Sequence, residues 1–416
     1  MKTRRFLKIF SVTLVILVFG FVTINSGAAA QPKYVKIGYL FPMTGPIAKW
    51  GITSKIAVEI ACEDINGLNN EKGIIVGGQR YLITPVIYDC EGKADKSLDG
   101  LKRFATLEKI PAAVGPFTSP EALALLPQIE KLNILMFSHV YARVAAKGNP
   151  LVLNYLASPK ALVPIYTNLI VKEGIKTVAI IYDKAPSFVD WQNVFAKEFE
   201  ARGGKIVGSE KMDIMTTTDF YAVLTKYRAM NPDALLPIGS AEPIGLIYKQ
   251  AREIGYKGRF LGSAEITPST LKTAGVGNMK GTIFPGFNLQ ACATENPPSE
   301  LRNFLKRFKE KGKGMETAGS ELLDYDQTIL IALGMEKAGT ILDPQKIRQG
   351  IMGVARERGT KVTMMPSNGF TKGGQTYGET IYLFRIEENG SFGIIPGSQT
   401  LFTREEAEKE EAEQPK

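Results

Sequence analysis

Ser119 stands directly before Pro120, in the run Gly115-Pro116-Phe117-Thr118-Ser119-Pro120-Glu121 that follows a short apolar stretch. A serine followed by proline reads as the start of a helix, with the proline in its first turn. The N–H groups left free at such a start, with the hydroxyl of Ser119 or Thr118, make a place for a carboxylate. The alternative is a well-capped helix and nothing more. Other residues suited to chemistry are few. The chain has a single histidine, His139, and a lone histidine is as readily a hydrogen-bonded structural residue as a ligand contact. The sequence has no Gly-x-Gly-x-x-Gly after a strand, no Gly-x-Ser-x-Gly elbow, no Gly-x-x-x-x-Gly-Lys-Ser/Thr loop and no cluster with metal-ligand spacing. Binding is therefore expected rather than catalysis, with no metal and no cofactor. An enzyme would need a carboxylate pair assembled in space, and turnover of a bound compound would reveal it.

Two tryptophans, Trp50 and Trp191, are the only ones in the sequence. Each follows the first strand of its own half, at the start of the next helix. Facing halves would present these rings from opposite lips over an apolar part of a ligand, since flat rings give large contact area. Edge packing of both rings is the other reading.

The elements that must position these residues alternate. Residues 35–40 form an apolar, β-branched run of strand length. The turn Pro42-Met43-Thr44-Gly45-Pro46 stops pairing, and apolar residues then return at helical spacing up to Asn66. Strands are predicted at 81–89, 112–117, 134–138, 177–183, 205–213, 234–239, 260–262 and 380–386. Helices are predicted between them, at 94–107, 120–132, 159–172, 188–202, 219–230 and 243–254, and then near 299–311, 320–338 and 344–350. Such alternation predicts a doubly wound α/β fold with mostly parallel sheets. In open sheets of this kind, ligands sit at the carboxyl ends of the strands.

The strand, Leu40-Phe41-Pro42-Met43-Thr44-Gly45-Pro46, Trp50-Gly51 and a helix closing on Asp64-Ile65-Asn66 together resemble the opening of periplasmic branched-chain amino acid binding proteins. These are the type I solute-binding proteins of ABC importers, and the resemblance runs from about residue 35 to about residue 392. It implies two Rossmann-like lobes joined by three hinge crossovers, near 151–155, 281–287 and 363–366. Lobe 1 would take 31–154 and 286–364, and lobe 2 would take 155–285 and 365–402. A charged tail, 403–416, is expected as a frayed helix or disordered segment with no role in the site. The implied function is extracytoplasmic capture of a small carboxylate-bearing ligand, an amino acid or a related organic or aromatic acid. Capture is by lobe closure, followed by delivery to an ABC permease and its ATPase subunits. A ligand-sensing lobe without transport is the alternative within the same resemblance. Site residues implied by it are Phe117, Thr118 and Ser119 on one loop, and Ser138, His139, Val140 and Tyr141 on the next. Phe188 matches an aromatic cover over the ligand, with Trp191 close by. Ser240 follows a strand-ending glycine where the family often has an aromatic. Glu265 resembles the acid that pairs with a ligand ammonium, displaced by one residue, and Tyr325 is expected to reach the cleft from the opening of its long helix. The 138–142 loop departs from the family pattern, being shorter, without proline and bulkier, which argues against a simple leucine- or valine-like ligand.

Composition fits this reading. At 416 residues the chain exceeds one hydrophobic core, and 44% hydrophobic with 22% charged residues is ordinary for a globular protein. The net charge of +9 includes four leader cations, Lys2, Arg4, Arg5 and Lys8, without which +5 remains. No basic run interleaved with aromatics argues for nucleic acid. Residues 1–30 read as a signal peptide, with a basic start, an apolar run from Ile9 to Ile24 and Ala28-Ala29-Ala30 before the cleavage point, and they predict export to the periplasm. Retention as an anchor is disfavoured because the run is shorter than the ~20 residues of a spanning helix. Of the three cysteines, Cys62, Cys90 and Cys292, a Cys62–Cys90 bridge and buried free thiols both remain open.

Overall fold

The computed structural model describes residues 33–412, except 68–72, 139, 141–148, 157, 288–289, 291–293, 298, 316, 318–320 and 359–368. The leader, Cys292 and the expected crossing at 363–366 lie outside the described residues. The first lobe begins with β1 (Lys33–Phe41), α1 (Ala48–Asn66), β2 (Ile74–Val76), β3 (Gln79–Asp89) and α2 (Ala94–Arg103), which continues into a single π-helical turn. It goes on through β4 (Ala112–Val114), α3 (Ser119–Leu132), β5 (Leu135–Ser138) and β6 (Val152–Asn154). These strands form one sheet in the order β2-β3-β1-β4-β5-β6. It is parallel except for the β2–β3 hairpin. Most of β1 is buried, as befits a strand covered on both faces. A side chain at Gly38 would lie 2.7 Å from the Phe104 ring, so only glycine lets the π turn pack there.

The second lobe follows with α4 (Pro159–Lys172), β7 (Thr177–Asp183), α5 (Pro186–Ala201), β8 (Lys205–Met212), α6 (Tyr221–Met230), β9 (Ala234–Ile238) and α7 (Ala241–Glu253). After these come β10 (Arg259–Phe260), α8 (Pro268–Ala274), α9 (Val276–Met279) and β11 (Ile283–Gly286). Its parallel sheet runs β10-β9-β7-β8. A bridge from Leu261 to Ile283 carries it on to β11. The helices α10 (Ser299–Lys311), α11 (Glu321–Ala338) and α12 (Pro344–Arg358) then return to the first lobe. There Phe304, Leu330, Ile331 and Ile351 share a core with Ile37, Tyr39 and Phe41. The chain ends with β12 (Gly369–Phe370), β13 (Thr376–Tyr377), β14 (Thr380–Ile386), β15 (Phe392–Ile394), β16 (Thr400–Leu401) and α13 (Arg404–Ala412). Strand β14 pairs antiparallel with β11 and β15. The fold is the expected α/β arrangement of two lobes, each with a parallel sheet.

One local outcome differs from the sequence expectations, and one open alternative is decided. Within the charged tail, residues 404–412 form a docked helix. Helix α13 buries Ala407 and Glu410, and Ser158 Oγ donates to Glu410 at 2.5 Å. Glu411 accepts from the Thr371 hydroxyl and from Gly373 N. An acid-rich helix docks here because two of its carboxylates meet hydroxyl and amide donors. Cys62 and Cys90 are both free and buried, and burial pushes each thiol up to about 12.

Candidate functional site

Parallel strands end at the gap between the lobes, and the helices that follow them begin there. Five helix starts border one cleft: Ile47 and Trp50 at α1, Thr118 and Ser119 at α3, Ala185 to Phe188 at α5, Ser240 and Ala241 at α7, and Thr267 at α8. Its cavity volume is about 210 Å³. Val140, Leu156, Asp183, Met215, Ala264, Glu265, Gln290 and Leu323 complete the wall.

The first-lobe wall is aromatic. Phe117 meets Phe41 edge-on at 5.3 Å, and Trp50 lies 6.2 Å from Phe117. The loop before α1 is held by Asp89. Its Oδ1 accepts from Met43 N at 2.9 Å and its Oδ2 from Thr44 Oγ1 at 2.6 Å. Burial acts to raise the Asp89 carboxyl, but these bonds hold it below the usual range. On α3 the protein's own Glu121 closes a capping box. Thr118 Oγ1 donates to Glu121 at 2.7 Å, and Ser97 Oγ donates to the other oxygen at 2.7 Å. The Thr118 hydroxyl is thereby committed. Ser119 is 4% exposed and lines the cavity, and its hydroxyl has no such partner among the described residues.

From the second lobe, Asp183 is spent on backbone, accepting from Ala185 N and Ile214 N at 2.8 Å each. Gln290 is spent too, with Oε1 accepting from Phe287 N and Nε2 donating to Ala264 O. Glu265 differs. No described residue hydrogen-bonds or ion-pairs with it, and burial pushes its carboxyl from 4.5 up to about 7. At the mouth, Lys49 of α1 forms an ion pair with Glu242 of α7 across the gap.

Of the residues expected at a site, Trp50, Phe117, Thr118, Ser119, Val140, Phe188, Ser240 and Glu265 meet on this wall. His139 and Tyr141 lie outside the described residues. Three others sit elsewhere. Ser138 is buried at the end of β5, its Oγ facing Val140 N. Tyr325 turns away and donates to Asp64 Oδ2 at 2.8 Å. Trp191 is in the core, stacked on Phe195 at 5.7 Å, so the two tryptophans do not face each other. The spacing Trp191, Phe195, Phe199 is one helix stripe, and that stripe packs on the sheet. Met215, Gln290 and Leu323 were not anticipated; they come from connecting segments and a distant helix, and no motif marks them. Thr267 was missed as well, although it stands before Pro268 as Ser119 stands before Pro120.

Among the described residues no group of histidine, cysteine or acids could hold a metal ion, and no helix is long and apolar enough to cross a membrane. A family model described as periplasmic binding protein matches residues 34–391. The chain belongs to the periplasmic binding protein family. This periplasmic binding protein is thus a solute-binding protein and not an enzyme. It is 25% identical over 332 residues to the leucine-, isoleucine-, valine-, threonine- and alanine-binding protein of Pseudomonas aeruginosa, covering 76% of this chain and 82% of the relative. Its fold matches that of a leucine-binding protein from Thermotoga maritima with a TM-score of 0.73 and 24% identity, covering 89% and 99% of the two chains. A solute-binding protein of an ABC transporter from Rhodopseudomonas palustris, solved with 3,4-dihydroxybenzoic acid, matches with a TM-score of 0.75 and 19% identity, covering 89% and 98%.

Proposed function

We propose that this protein captures a small carboxylate-bearing solute with an apolar body between its lobes in the periplasm and hands it to an ABC permease. An apolar or aromatic amino acid fits best. The observation that carries the choice is Glu265, a carboxylate without a partner among the described residues, on a largely apolar wall. An ammonium beside it would supply the missing countercharge, while Ser119 and the start of α3 face the opposite charge. Trp50, Phe117 and Phe188 would cover the apolar body. The named ligands of the relatives, leucine, isoleucine, valine, threonine and alanine on one and a dihydroxybenzoic acid on another, all carry a carboxylate, which supports the class. Closure follows from differential affinity, because both walls touch the solute only when the lobes approach.

The second reading is an aromatic acid without an ammonium, favoured by the same aromatic wall and by a Glu265 that is half neutral near pH 7. Titration calorimetry across pH separates the two. An amino acid such as L-phenylalanine needs Glu265 ionised, so its affinity falls about tenfold per pH unit below pH 7. Benzoate needs Glu265 protonated, so its affinity falls above pH 7 instead. A flat profile for both, unchanged in Glu265→Gln, removes Glu265 from the site.

A further inference from the structure

The starts of α1, α5 and α7 all lack a side-chain cap bond, but of the three only α7 carries a hydroxyl residue at its cap. Ser240 occupies the cap position, where a serine oxygen ordinarily accepts from the second or third helical N–H. The third helical residue here is Pro243, which has no N–H. Ser240 makes no side-chain cap bond. Ser240 is 5% exposed and lines the cavity, and its hydroxyl has no partner among the described residues. The helix is long enough for its dipole to matter, and the N–H groups of Ala241 and Glu242 lie at its open end. By contrast α3 and α8 satisfy their own ends with Thr118–Glu121 and Thr267–Thr270 boxes.

We propose that Ser240 and the first N–H groups of α7 form a second polar subsite, on the lobe opposite Ser119, for a hydroxyl at the far end of the solute. The proposal rests on the carboxylate-solute reading above and narrows it. Ser240 Oγ and the α7 amides supply donors, and the serine oxygen can also accept. A second anion is disfavoured there, because Asp183 lines the same lobe and Glu242 sits in the first turn of α7. A neutral hydroxyl takes the donors without meeting that charge. The solute is therefore an acid, or an amino acid, whose apolar body ends in a hydroxyl.

Two matched pairs test this by titration calorimetry on the full mature chain: L-phenylalanine with L-tyrosine, and benzoate with 4-hydroxybenzoate. The expected result is that the hydroxylated member of at least one pair binds about tenfold tighter, the worth of one buried hydrogen bond to a polar site. Ser240→Ala abolishes that preference and leaves the bare ring within about twofold. Pro243→Ala gives the helix its third N–H back, so Ser240 can cap its own helix. That variant loses the preference while its apo form melts no lower than the wild type. Terephthalate, with a second carboxylate in place of the hydroxyl, binds more weakly than 4-hydroxybenzoate. The subsite is overturned if the acids bind with no preference for the hydroxyl, or if Ser240→Ala weakens both members equally. If no acid of either pair binds, the carboxylate-solute reading fails and the subsite falls with it. Circular dichroism and thermal melting of the apo variants separate loss of fold from loss of contact.

Discussion

Replacing Glu265 with glutamine should make the empty protein more stable, and by an amount that depends on pH. In the folded apo protein the carboxyl is pushed from 4.5 to about 7 because desolvation disfavours its ionised form and no described residue pairs with it. A raised carboxyl binds its proton more tightly in the folded state than in the unfolded chain. Stability from this source is complete below about pH 4.5 and is lost as pH rises towards 7. Each pKa unit is worth about 1.4 kcal/mol, so a rise of about 2.5 units sets a ceiling near 3 kcal/mol at pH 8. At pH 5 the same arithmetic leaves under about 1 kcal/mol. Contact of the cleft with water lowers both figures. Urea unfolding of wild type and Glu265→Gln at pH 5 and pH 8, without ligand, reads the difference directly. The variant should gain roughly 1–3 kcal/mol more at pH 8 than at pH 5 and should lose amino acid binding. Parallel pH dependence of the two proteins would refute the argument that the half-buried Glu265 carboxylate is disfavoured in the folded state. The result would mean that the site keeps a destabilising charge for the sake of its ligand.

Ser119→Ala should weaken a carboxylate ligand roughly 10- to 100-fold with little change in the apo melting temperature, as calorimetry and thermal melting would record. Trp191→Ala should cost roughly 3–5 kcal/mol in urea unfolding because the ring is in the core. Ligand-induced fluorescence changes should instead disappear in Trp50→Phe and persist in Trp191→Phe. Removing residues 403–416 should lower stability by roughly 1–3 kcal/mol, measured by urea unfolding, since Ser158 and Thr371 lose the carboxylates they donate to.

Much of this was legible in the chain itself, where local chemistry is decisive. Two prolines and a glycine between an apolar strand and an amphipathic helix mark the loop that carries Trp50. Ser119 before Pro120 marks the start of α3, and Pro186 before Phe188 marks the start of α5. What the sequence conceals is direction. Trp50 and Trp191 occupy matching places in their lobes, but only the helical phase of Trp191 with Phe195 and Phe199 assigns it to the core. Tyr325 sits on a helix whose faces are almost all buried, so periodicity does not say which side meets the cleft. Met215, Gln290 and Leu323 reach the wall from separate parts of the chain, and their convergence is a property of topology rather than of spacing. In the tail, Ala407 and Glu410 lie three apart on one helical face, a weak sign of docking that a net count of charges obscures.

The bond between Lys49 and Glu242 joins the lips of the cleft through two side chains that both remain in contact with the medium. Dissolved ions screen such a pair over about 10 Å at 0.1 M, whereas the buried contacts deeper in feel them far less. The lips of the empty protein are accordingly expected to draw together at low ionic strength and to part in concentrated salt.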